Sequence, residues 1–165
     1  MKLGEGGEFL SRTNHNLLGY WEQPDATAAA IRDGWFHTGD GGYIDDDNYV
    51  IISDRKKDVI ISGGENVSSI EVEDAIFQHP DVTEVAVIGV PDQQWGETVK
   101  ALVVVADGAT VTEIELVDHC REHLAHYKCP TSVEVRDELA RTATGKLQKF
   151  KLRAPYWEGR DRQIG

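Results

Sequence analysis

Asp40 ends a Thr-Gly-Asp triplet, and Arg55 follows fifteen residues later within the run Asp-Arg-Lys-Lys-Asp. A carboxylate can accept both hydroxyls of a ribose, and a guanidinium can donate as a fork to ribose or phosphate oxygens. The pair therefore suits a nucleotide. A turn aspartate and a solvated arginine have the same composition, so these residues alone leave both readings open. The surrounding pattern puts the two on the loops that bound a hairpin.

Three other patterns carry possible chemistry. Ser62-Gly63-Gly64-Glu65-Asn66 has adjacent glycines that would let a ligand approach the backbone, although a hairpin turn uses the same residues. Thr142-Ala143-Thr144-Gly145-Lys146 looks like the end of a phosphate-binding loop. It fails the pattern G-x-x-x-x-G-K-[ST], because Ala140 stands where the first glycine belongs and Leu147 follows the lysine. What remains is one lysine on a mobile, glycine-containing loop, able to stabilise negative charge on a phosphate or carboxylate. Trp95 lies in the polar segment Pro-Asp-Gln-Gln-Trp-Gly-Glu and is either a core anchor or an exposed stacking platform. His119, His123, His126 and Cys129 have metal-like spacing, but the histidines fall about 100° from the apolar face of their helix, as expected of a solvated flank. No G-x-S-x-G, H-E-x-x-H or Ser/His/Asp order is present.

The elements that must position these residues change character near Asp54 to Asp58. Upstream, short β-like pieces broken by glycine (GEFL, DGWF, GYI and YVIIS around Asp45 to Asn48) predict hairpins, with one short helix around Ala26 to Ile31. This stretch is too thin to bury a core and reads as part of a larger domain. Downstream, Ser68 and Glu71 form a capping-box pattern before a helix over Ser69 to Gln78. EVAVIGV and TVKALVVVA predict strands, Thr112 to Ala125 a second helix, SVEVR a third strand and Leu147 to Arg153 a last short helix. The fold class is α+β: a mixed sheet flanked by helices over residues 57–165, preceded by a β-rich segment over residues 1–56.

The chain has 165 residues and a net charge of −12, which argues against nucleic acid or anionic membrane as a general partner. From Arg141 onward the balance is +5, leaving −17 on the rest. Such a tail could meet a phosphate, or be a solvated helix end. Two cysteines, no signal peptide and no membrane-length apolar run lead to the expectation of a reduced, cytoplasmic protein.

Taken in order, GYWEQPDAT, DGWFHTGDGGYID, DRKKDVIISGGENVSSIEVEDAI, VAVIGVPDQQWGETVKALVV, LAHYKCPTSVEV and RTATGK resemble the C-terminal part of the adenylate-forming acyl-CoA synthetases. The resemblance covers nearly the whole chain and implies a ligase that joins a carboxylic acid, expected to be a fatty acid, to coenzyme A. ATP and Mg2+ would first yield an acyl-adenylate, and a swing of the small C-terminal domain would then permit transfer to the thiol. By the same resemblance Asp40 and Arg55 bind the nucleotide and Lys57 is the hinge. Gly63, Gly64 and Trp95 line the coenzyme A site, and Lys146 serves adenylation. Relatives often carry proline where this chain has Ala140. The ATP phosphate loop and acyl pocket would lie upstream, so the isolated chain is expected to be inactive. Two alternatives stay open: an adenylate-forming ligase that does not use coenzyme A, and a stand-alone, non-catalytic binding domain.

Overall fold

The structure is a computed structural model and describes residues 1–160. Asp161 and Arg162, counted above in the basic tail, lie outside the described residues. The chain divides into two compact units, Met1–Lys57 and the part from Asp58 onward.

The first unit is a five-stranded antiparallel sheet. Its strands are β1 (Lys2–Leu3), β2 (Glu8–Ser11), β3 (Ile31–Arg32), β4 (Trp35–Ile44) and β5 (Val50–Arg55), with a helix α1 (Pro24–Ala30) before β3. Helix α1 has proline at its first position, where the missing N–H costs nothing. Asp45 shapes the β4–β5 turn: its Oδ1 accepts from the amides of Asp47 and Tyr49, and Asn48 takes a left-handed φ of 66°. Among the described residues, the buried apolar side chains of this unit are Phe9 and Leu10. Tyr43, Ile44, Tyr49, Val50, Ile51 and Ile52 on the hairpin are exposed.

The second unit is a sheet between helical layers. A tight hairpin of β6 (Ile60–Ser62) and β7 (Glu65–Val67) leads to α2 (Ser69–Phe77). Strands β8 (Val82–Asp92) and β9 (Gly96–Val105) form a long antiparallel hairpin. Helix α3 (Glu113–His123) precedes β10 (Ser132–Val135), which pairs parallel to β9. Helix α4 (Lys149–Arg153) is followed by a 3-10 turn over Ala154–Trp157. Side chains alternate across a strand. Val85, Val87, Val99, Ala101 and Val103 accordingly pack on Val72 and Ile76 of α2 and Leu116 and Cys120 of α3. Ala86, Ile88, Val90 and Leu102 face the other way, onto Leu139 and Leu152. Burial on both faces is why these strands read as continuous apolar runs.

Caps fix the helix starts. Ser68 Oγ accepts from Glu71 N at 3.3 Å, and Thr112 Oγ1 from Glu115 N at 3.2 Å. The Glu71 carboxylate takes the Lys128 ammonium at 2.6 and 2.7 Å.

Several boundaries differ from those predicted. Strand β8 runs on through Pro91 and Asp92, so only Gln93 to Trp95 turn the chain. An edge position lets proline sit in a strand without breaking a ladder bond. Strand β7 was not predicted. Helix α3 stops at His123, and α4 begins only at Lys149 because Leu147 is bridged to Arg141. No helix among the described residues is long and apolar enough to cross a membrane.

Candidate functional site

Asp40 and Arg55 lie in strands, not on bounding loops. They are direct cross-strand partners of β4 and β5, with Arg55 Nε 3.4 Å from Asp40 Oδ1. The aspartate is held from beneath by residues that sequence reasoning missed. Thr38 Oγ1 donates to Phe9 O at 2.8 Å, and the Asp40 amide donates to that hydroxyl at 3.1 Å. The buried Glu8 accepts the Gly39 amide at 2.9 Å and lies 3.1 Å from His37 Nδ1 and 3.6 Å from Lys56 Nζ. Burial pushes the Glu8 carboxyl up, but the His37 and Gly39 hydrogen bonds and the Lys56 charge outweigh it and hold it below the usual range. The only sequence signal for Glu8 was an acid in the otherwise strand-like GEFL. Lys57 is the last residue of the first unit.

Gly63, Gly64 and Trp95 are brought together in the second unit. Both glycines have positive φ, 60° and 87°, as a two-residue hairpin turn requires. Ser62 pairs with Gly96, which sets the β6–β7 turn against the β8–β9 turn. Gly63 N donates to Trp95 O at 3.0 Å, and the indole lies over Gly63 so closely that a Cβ there would meet Trp95 Cε3 at 2.7 Å. Asp92 Oδ1 accepts from the amides of Gln94 and Trp95, both at 2.8 Å, and so fixes the turn. Trp95 is 50% exposed. Its ring rests on Gly63, with its outer part open to solvent.

Lys146 does not sit on an irregular loop. Thr142 N donates to Lys146 O and Gly145 N to Thr142 O, at 2.8 and 2.9 Å, and Arg141 bridges to Leu147. With Gly145 at φ +84°, this is a three-residue hairpin turn with a left-handed glycine. The Lys146 side chain is exposed, and its ammonium makes no hydrogen bond or ion pair among the described residues. Its basic neighbours behave otherwise. Arg141, Lys149 and Arg153 pair with Glu84, Glu73 and Asp58. Much of the basic excess of the tail is therefore balanced by the acidic body of the unit.

The histidine cluster packs helices. His119 Nε2 lies 3.0 Å from Ala75 O, and its ring meets His79 edge-on and His123 at 4.6 Å. Among the described residues no three His, Cys, Asp or Glu side chains converge as a metal site. Cys120 lies on the buried face of α3, where burial and the neighbouring Cys129 push its thiol up to about 12.

Residues 71–146 match the AMP-binding enzyme C-terminal domain. The chain is 49% identical over 93% of its length to a feruloyl-CoA synthase of an Amycolatopsis species, covering 31% of that protein. It is 48% identical over 91% of its length to a long-chain-fatty-acid–CoA ligase of Mycobacterium tuberculosis, covering 30% of it. Over residues 71–146 the chain carries the C-terminal domain of the AMP-binding enzymes. Among solved structures, ATP-bound MatB from Rhodopseudomonas palustris superposes with a TM-score of 0.78 at 44% identity, over 84% of this chain and 28% of that one. The chain thus spans less than a third of the length of each of these relatives, and its residues 71–146 match a domain that is C-terminal in AMP-binding enzymes.

Proposed function

We propose that this chain is the C-terminal part of an ATP-dependent acyl-CoA synthetase, with Lys146 acting in the adenylation half-reaction. The observation that carries the reading is the Lys146 turn: a hydrogen-bonded hairpin that holds the lysine backbone and leaves its ammonium without a partner among the described residues. In adenylation a carboxylate oxygen attacks the α-phosphorus of ATP, the bond to the β-phosphate oxygen breaks, and pyrophosphate leaves. Two anions must approach, and a cation placed between them lowers that barrier. In the second half-reaction the thiol sulfur attacks the acyl carbonyl carbon, its proton is lost, and AMP leaves. No pair of anions has to be joined there, so the lysine can withdraw.

The other residues take parts that fit their geometry. Arg55 engages Asp40 Oδ1, which leaves Oδ2 for a ribose hydroxyl, while the exposed guanidinium retains donors for the nucleotide. The Gly63–Gly64 turn and the half-exposed Trp95 offer bare backbone and an aromatic face, a surface suited to pantetheine and adenine of coenzyme A. Lys57 would be the hinge that lets one domain serve both steps. The region that relatives carry upstream would supply the ATP phosphate loop, the Mg2+ site and the acyl pocket, and would cover the apolar β4–β5 hairpin. We take the acid to be a fatty acid or a related aliphatic or aryl acid. Proteins named for ferulate and for long-chain fatty acids match this chain almost equally, which supports acid selection residing in that upstream region. Two free, buried cysteines support a reducing compartment, the cytoplasm.

The test is an exchange of parts. Residues 1–165 replace the matching segment of the Amycolatopsis feruloyl-CoA synthase, and ferulate, ATP and coenzyme A are supplied. The fused enzyme is expected to form feruloyl-CoA, and the chain alone to release no pyrophosphate. Adenylate without thioester would point to a ligase that does not use coenzyme A. A folded fusion that makes neither product, or an adenylate made by the chain alone, would contradict the reading.

A further inference from the structure

We propose that Arg141 is the positioning residue of Lys146, tying the lysine's turn to strand β8 through Glu84. The inference rests on the reading of Lys146 given above. Arg141 Nε and Nη2 both donate to Glu84 Oε2, at 3.1 and 2.5 Å, while Nη1 donates to Gly145 O at 2.6 Å. One planar group therefore joins a sheet strand to the residue just before Lys146. The backbone of Arg141 is bridged to Leu147, the residue just after it. The lysine is held from both sides while its own ammonium has no partner among the described residues.

The strand is shaped for this contact. The β8–β9 register shifts between Val82 and Glu84, so Thr83 is an extra residue. Without that bulge Val82 and Glu84 would share a face. With it, Val82 joins the core under α2 and α3. Glu84 instead turns to the face of Ala86 and Ile88, where Leu139, Ala140 and Leu147 pack at the ends of the lysine turn. The Glu84–Arg141 pair is more than a third exposed on both sides and adds little to global stability. Its three bonds from one guanidinium act locally, on the direction of the turn. Lysine at this position could not make the same fork.

The experiment uses the isotope-labelled 165-residue chain and reads amide exchange at Thr142 and Gly145 and the backbone order parameter of Lys146. Arg141→Ala should speed exchange at both amides about tenfold and lower the order at Lys146, with the β8–β9 amides unchanged. Arg141→Lys should fall between, because one ammonium cannot hold Glu84 and Gly145 O in the same fork. If Arg141→Ala also loosens β9, Glu84→Gln decides by itself, because it keeps the shape of the side chain and removes only the charge. Exchange at Thr142 and Gly145 within about twofold of the native chain in Glu84→Gln overturns the proposal. Lys146→Ala separates it from the reading beneath it. If that variant left adenylation intact in the fused enzyme, the role of the lysine would fall while the tie to Glu84 stood.

Discussion

Gly63 and Gly64 share a turn but not an environment, and the difference can be measured. Both take a φ that an alanine adopts only at a cost of about 1–2 kcal/mol. At Gly64 a Cβ would enter open space, whereas at Gly63 it would strike the Trp95 ring. Urea unfolding should therefore show both Gly63→Ala and Gly64→Ala destabilised by about 1–2 kcal/mol. Only Gly63→Ala should shift the Trp95 indole N–H resonance strongly and weaken coenzyme A binding in the fused enzyme. Equal indole shifts in the two variants would remove Trp95 from the proposed platform. The glycine pair was legible as a turn because two adjacent positive-φ residues have few other uses. Its contact with Trp95 was not, since it depends on Ser62 pairing with Gly96 across the sheet. Glu84 and Glu8 were hidden for the same reason. Their partners lie far away in sequence, and nothing local distinguishes either acid from a solvated one.

At the scale of elements, the C-terminal 3-10 turn is fastened by a charged cluster. Tyr156 OH donates to Glu134 Oε2 at 2.6 Å, Arg136 reaches both residues, and Trp157 Nε1 donates to Gly89 O at 3.0 Å. The Tyr156 hydroxyl, followed by the Arg136 charge, holds the Glu134 carboxyl below its usual range against the effect of burial. A depressed carboxylate contributes stability above its unfolded pKa of about 4.3 and loses it as pH falls through the folded value. Tyr156→Phe should cost about 1 kcal/mol or less near neutral pH, since solvent screens the partly exposed Glu134, and the penalty should shrink as pH drops below about 4. Thermal unfolding across that range checks the sign; a penalty that stayed constant into acid would contradict it. The core elements were legible for simple reasons. Ser68 and Glu71 form a capping-box pattern set before apolar spacing, and β8 and β9 are apolar on both faces. The last helix was misplaced by two residues because the turn chemistry of Thr142 to Lys146 extends pairing to Leu147. A glycine-containing loop and a glycine-closed hairpin look alike until the backbone bonds are known.

At the scale of the molecule, the two units differ in how much they bury. The first has Phe9 and Leu10 as its buried apolar residues among those described, while the second has two clusters on opposite faces of one sheet. Opening free energy follows buried apolar contact. Amides of β2, β4 and β5 should therefore exchange faster than those of β8 and β9 in the 165-residue chain; equally slow exchange would show that the first unit is self-sufficient. The family was legible because its motifs recur in order along the chain, whereas the acid it acts on was not, since none of those motifs touches an acyl group. The most direct measurement of the central claim divides the reaction in the fused enzyme. Lys146→Ala should lower adenylate formation from ferulate and ATP by about 10²–10³, while transfer from preformed feruloyl-adenylate to coenzyme A stays near the unmutated rate. Equal losses in both half-reactions, or none in the first, would contradict the role assigned to Lys146.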